Sequence, residues 1–114
     1  MMPAPVRVAL ERVVSLLVAG RFDELERLDR GGRMKADEWR RRVNEYGKTL
    51  IEPPREDLDT ADIVPLGGFE NEAWSVRYEL WTREQAKSDL SVELTVRYIG
   101  GDDVNIEIDD LRVA

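Results

Sequence analysis

Three tyrosines, Tyr46, Tyr78 and Tyr98, fall on apolar faces of the sequence pattern, and they set the first chemical question. A phenol beside a carboxylate can run proton abstraction next to a carbonyl. The carboxylate takes the proton, and the phenol donates to the oxyanion that forms. The carboxylates do not follow the tyrosines here. Glu79, Glu93 and Glu107 lie on the opposite, polar parity of their strands, so a strand-borne site lacks its base. Glu45 or Asp89 would serve only by turning inward. The chain has no histidine, which removes the commonest general base at neutral pH, and no nucleophile–base pair can be read. It has no cysteine either, so a metal would need all-oxygen ligands and a reducing cytoplasm is the simplest home. Asp102-Asp103 and Asp109-Asp110 lack the spacing of an EF-hand loop, and Gly100-Gly101-Asp102-Asp103 reads as a hairpin turn. Neither a Walker-type loop nor a glycine fingerprint precedes a helix, so no cofactor is expected.

The second chemical group is the tryptophans. Trp39 and Trp74 fit core positions, helix against sheet. Trp81 falls on the polar parity of its strand, where a large aromatic marks a contact surface. The competing reading packs it across its hairpin on the aliphatic stems of Arg83 or Lys87. Arg77, Glu79, Glu93 and Arg97 share the polar parity with Trp81, and the five form the candidate partner-binding set. A small-molecule ligand would instead need a pocket between helices and sheet, walled by Trp39, Tyr46, Trp74, Tyr78 and Tyr98. Arg40-Arg41-Arg42, with Arg30, Arg33 and Lys35 nearby in sequence, is the basic cluster. On a helix these arginines fan away from Trp39 and Val43 and read as a solvated face.

The elements that must position these groups are set by one change of rhythm. Up to about Tyr46 the apolar residues recur at three and four; from Trp74 onward they recur at two. A first helix begins after Pro3 or Pro5 and carries Val6, Leu10, Val13 and Leu17, widened by Ala9 and Val14, with Gly20 as its stop. A short second helix places Phe22, Leu25 and Leu28 on one side and ends at Gly31-Gly32. A third runs from about Ala36 to Tyr46 and stops at Gly47, and Lys48–Ile51 suits a short strand.

The stretch 53–61 is a polar connection, the segment expected to be most mobile. Pro65 confines Ile63–Leu66 to a sheet edge. After Gly67-Gly68 come three alternating strands. The first carries Trp74, Val76, Tyr78 and Leu80, and the second carries Leu90, Val92, Leu94, Val96 and Tyr98. Val104, Ile106 and Ile108 belong to the last, and a bulge at Asp109-Asp110 returns Leu111 and Val113 to the core face. Pairing Leu80 with Leu90 puts Arg77 opposite Glu93 and Trp81 opposite Asp89.

Ala19-Gly20-Arg21-Phe22-Asp23-Glu24-Leu25, followed by Met34-Lys35-Ala36-Asp37-Glu38-Trp39, resembles the helical entry of cone-shaped domains similar to nuclear transport factor 2 and ketosteroid isomerase, in a cystatin-like α+β arrangement. The resemblance implies an amphipathic helix, a short helix opened by a glycine, an aromatic and an acidic residue, and a third helix, all covering a curved antiparallel sheet. Leu80-Trp81-Thr82-Arg83-Glu84 with Ser88-Asp89-Leu90-Ser91 resembles a motif of small bacterial domains of uncharacterised function, which implies only that the hairpin is a constrained unit.

The expectation is a single α+β domain over residues 1–114, with helices over about 4–47 and a curved, mostly antiparallel four-stranded sheet over about 62–113. Residues 1–50 carry 11 Lys/Arg against 8 Asp/Glu, and residues 51–114 carry 6 against 16, giving a net charge of −7. The acidic sheet half repels phosphates, so nucleic acid is not an expected partner. The most apolar run, Val13 to Ala19, is far short of the roughly 20 residues a membrane span requires, so no membrane partner is expected either. The functional expectation is a non-catalytic, cytoplasmic domain that binds a protein partner or forms a homodimer through its sheet. The alternative is a small-molecule pocket used for binding or for simple isomerase or hydrolase chemistry.

Overall fold

The computed structural model describes residues 2–67, 72–101 and 103–113; Gly68, expected just before the alternating strands, and Asp102, expected in a hairpin turn, lie outside them. The change of rhythm marks the change of structure. Helices α1 (Ala4–Ala19), α2 (Phe22–Leu28) and α3 (Ala36–Tyr46) come first. They are followed by strands β1 (Leu50–Ile51), β2 (Asp62–Leu66), β3 (Ala73–Thr82), β4 (Ala86–Gly100) and β5 (Asp103–Val113). Gly20 and Gly47 close α1 and α3 with φ of 70° and 77°, the left-handed conformation that glycine enters without steric cost. Helix α2 stops at Leu28, before the glycines. Asp29 caps it and turns its carboxylate onto the following loop, with Oδ1 accepting the Gly31 N–H at 2.9 Å and Oδ2 the Gly32 N–H at 3.2 Å.

All strand pairs are antiparallel, in the order β1-β3-β4-β5, with β2 also on β3. The sheet thus has five strands rather than four, the addition being the two-residue β1. Strands β1 and β2 share one edge of β3, at Trp81–Thr82 and at Ala73–Arg77 respectively. The helices bury Leu10, Val13, Leu25 and Trp39 against the even-numbered side chains of β3 and β4, and among the described residues no helix packs on the sheet's other face.

Arg77 faces Glu93, as the charge argument requires, but the expected pairing of Trp81 with Asp89 is corrected. The register shifts between Glu79 and Trp81, so Trp81 faces Lys87. The cause is Ser88, whose buried hydroxyl donates to the Leu80 carbonyl at 2.7 Å and accepts the Leu90 N–H at 3.2 Å. A side chain does there what the ladder would otherwise do, and β4 takes up the extra residues. A second register shift leaves Asp109 unpaired between Ile108 and Asp110 and returns Leu111 to the core. Val113 does not follow it inward and is 54% exposed.

The outer edge of β5 is closed from the side. Arg30 N–H donates to the Ile106 carbonyl at 2.8 Å, Ile108 N–H donates to Asp29 Oδ1 at 2.8 Å, and Arg42 Nη1 donates to the Leu111 carbonyl at 2.8 Å. Each occupies a backbone group that could otherwise template another strand. Within the polar connection 53–61, Arg55–Thr60 forms a 3-10 helix between β1 and β2. Leu58 pins it, entering the core at 4% exposure.

Candidate functional site

The uncovered face of the sheet carries Arg77, Glu79, Glu93 and Arg97, positioned by the odd parity of β3 and β4. One row crosses β2, β3 and β4 with alternating sign and reaches β5 by a diagonal ion pair, Asp110 being the residue that faces Glu93. Asp62 on β2 lies 3.8 Å from Arg77, Arg77 faces Glu93 in register, and Glu93 lies 2.8 Å from Arg112 on β5. Arg97 and Glu107 pair beside it at 3.2 Å, while Glu79 faces Ser91. Trp81 stands at the end of this face, half-buried.

Its indole is not free. Trp81 Nε1 donates to Asp57 Oδ2 at 2.7 Å, and the same oxygen accepts the Tyr78 hydroxyl at 2.6 Å and Lys87 Nζ at 2.9 Å. Lys87 Nζ also donates to Thr60 Oγ1 at 2.8 Å and sits 4.5 Å from the centre of the Tyr78 ring, a cation–π contact. Burial alone would raise the Asp57 pKa. The bonds from Tyr78, Lys87 and Trp81, with the Lys87 charge, outweigh it and hold the carboxyl below its ordinary value. The Tyr78 phenol is pushed up, by burial first and then by its bond to Asp57. Chemically this is an anchored anion, stabilised in its charged form and a weak proton acceptor.

Asp57 is the central residue of this cluster, and sequence reasoning missed it. Residues 53–61 have no apolar period, and nothing local marks one acid among Glu56, Asp57 and Asp59 as the buried one. The other two carboxylates considered as bases are committed elsewhere. Arg41 donates to Glu45 at 3.1 Å, and Asp89 accepts the Tyr46 hydroxyl, which ties α3 to β4. Burial first, and then Asp89, raise the Tyr46 pKa.

The five aromatic residues assigned to one pocket do not share a cavity. Trp39, Trp74 and Tyr78 are core residues. Tyr46 lines a groove of about 430 Å³ with Arg41, Arg42, Leu90 and Arg112. Tyr98 lines another, of about 250 Å³, with Pro5, Val8 and Val104.

The basic helix face is largely paired. Arg40 bonds Asp37, and Arg42 leaves the solvated face to bridge Glu38 and Asp110 at 3.1 and 2.8 Å. In the β3–β4 hairpin, Glu84 accepts from Thr49 N–H at 2.9 Å and the Thr82 hydroxyl accepts from Gln85 N–H at 3.1 Å. The Glu84 carboxyl is held below its ordinary value, chiefly by that Thr49 bond.

Among the described residues no cluster of acidic side chains has the grouping a metal ion needs. No helix among them is long and apolar enough to cross a membrane. No curated protein and no solved structure matches the chain. Residues 14–114 match the family described as Domain of unknown function (DUF7668), and the chain belongs to that family.

Proposed function

We propose that this domain is a non-catalytic interaction module whose contact surface is the uncovered sheet face, with Arg77, Glu79, Glu93 and Arg97 at its centre and Trp81 at its end. The observation that carries the reading is the chain of opposite charges Asp62–Arg77–Glu93–Arg112, in register from β2 to β4 and diagonal in its last step to β5, where Asp110 faces Glu93. Turned end for end about a two-fold axis, those four side chains set Asp62 against Arg112 and Arg77 against Glu93, so a second copy of the chain is a natural partner. A protein partner with the same alternation would fit equally. Against catalysis stands the commitment of Asp57 to three donors, which leaves the buried tyrosine without a free base. A chain without cysteine suits a reducing cytoplasm. Three helices laid on one face of a bulged antiparallel sheet support placing it with the nuclear transport factor 2-like cone folds.

Light scattering over a concentration series tests the surface. The expected result is reversible self-association that weakens with salt and is lost in Arg77→Glu, which sets three acids in a row across β2, β3 and β4. A monomer at every concentration, together with unchanged mass in Arg77→Glu, would count against self-association. Retention of a protein partner by the wild type but not by Arg77→Glu would keep the surface and replace the copy.

A further inference from the structure

Among the described residues ten of the chain's 17 cations have a carboxylate within ion-pair distance, and three of the seven that have none surround a single groove. Arg12 on α1, Arg27 in the last turn of α2 and Arg30 just beyond it line a groove of about 470 Å³ floored by Leu28 and Val104. Among the described residues none of these three guanidinium groups has a carboxylate within ion-pair distance, whereas the arginines of α3 all do. Glu24, the one acid lining the groove, is already held by Arg21. Arg30 is set in place by its backbone, whose N–H donates to Ile106 at 2.8 Å, so its side chain is free to serve a ligand.

At Val104 this groove meets the apolar one of about 250 Å³ lined by Pro5, Val8 and Tyr98. Val8 and Arg12 lie one turn apart on α1, and Val8 is 56% exposed. The Tyr98 hydroxyl is occupied by the Gly101 carbonyl at 2.9 Å, so Tyr98 offers the groove its ring. From Pro5 to Arg12 the helix advances roughly 10 Å at its usual rise per residue. Cationic head space and apolar tail space therefore lie end to end.

The geometry points to a binding site for a small anionic amphiphile: a phosphate monoester head on Arg12, Arg27 and Arg30, and a medium-length aliphatic chain over Val8, Tyr98 and Val104. Arginine is the side chain best shaped for phosphate, through paired N–H donors. The cationic groove, at about 470 Å³, lies in the small-molecule range, and the apolar groove of about 250 Å³ extends it. This site is separate from the sheet face and does not depend on it.

The test titrates the full isotope-labelled chain with octyl phosphate below its micelle concentration and follows amide shifts, with octanol and inorganic phosphate as comparators. The expected result is saturable binding with shifts confined to residues around Val8, Arg12, Leu28, Tyr98 and Val104. Each buried methylene adds about fourfold to affinity, so octyl phosphate should bind at least tenfold tighter than inorganic phosphate. The double variant R27A/R30A should lose at least tenfold for octyl phosphate, and V8E should lose it as well. Both substitutions are on exposed positions, and an unchanged thermal midpoint confirms the fold. Equal affinity for inorganic phosphate would overturn the site, as would undiminished binding by R27A/R30A. Capture by phosphatidylserine vesicles without binding of monomeric octyl phosphate would assign the arginines to a membrane surface and overturn it too.

Discussion

Replacing Asp57 by alanine tests the physical account of the sheet–strap junction most directly. The substitution removes one acceptor shared by three donors. The Tyr78 hydroxyl belongs to a residue only 1% exposed, so it has little access to water, and an orphaned buried donor costs about 1–3 kcal/mol. Trp81 is half-buried and should lose about 1 kcal/mol. Lys87, about one-third exposed, keeps Thr60 and gains water, so its share is roughly 0–1 kcal/mol. The total is about 3 kcal/mol out of a typical 5–15 for a domain. For a chain of this length it corresponds to a fall of roughly 10 °C in the thermal midpoint. Urea unfolding followed by circular dichroism supplies the free energy. A double-mutant cycle supplies the mechanism. Tyr78→Phe alone should cost about 1 kcal/mol, yet in the Asp57→Ala background it removes the stranded hydroxyl and should cost almost nothing, a coupling of about 1–2 kcal/mol. If Asp57→Ala costs less than about 0.5 kcal/mol, or if the two substitutions add, Asp57 does not hold the junction together.

Two further outcomes follow from the same structure. Because the folded Asp57 carboxyl titrates below its unfolded value of about 3.9, the stability it contributes is present above that pH and is lost as pH falls through the lower folded value. Urea unfolding below about pH 4 should therefore show a shallower decline in Asp57→Asn than in the wild type, and parallel curves would remove Asp57 from the acid response. Asp29→Ala strands the N–H groups of Gly31, Gly32 and Ile108, should cost about 2–3 kcal/mol, and should speed amide exchange at Ile108 by opening the capped β5 edge there; protection of that amide at the wild-type level would contradict the capping role.

Features that depend on near neighbours in the chain are legible from residue order. Gly20 and Gly47 ended their helices where the apolar period stopped, because a left-handed residue is a local requirement. The alternation through Trp74, Val76 and Tyr78 placed the core face of β3, and the charges alone put Arg77 opposite Glu93. The candidate surface residues were likewise legible as a set, since side chains two apart on a strand must share a face.

Which polar groups meet across distance is settled when the elements pack. Trp81 faces Lys87 because a buried serine replaces ladder bonds, and no pattern of apolar residues encodes that replacement. Asp57 became the acceptor for Tyr78, 21 positions away, and Asp29 the cap of a strand edge 79 positions away. Several acids near each of them are equally polar in sequence. The choice among them is made by burial, because a donor removed from water must be paired and only one carboxylate lies within reach once the chain has packed.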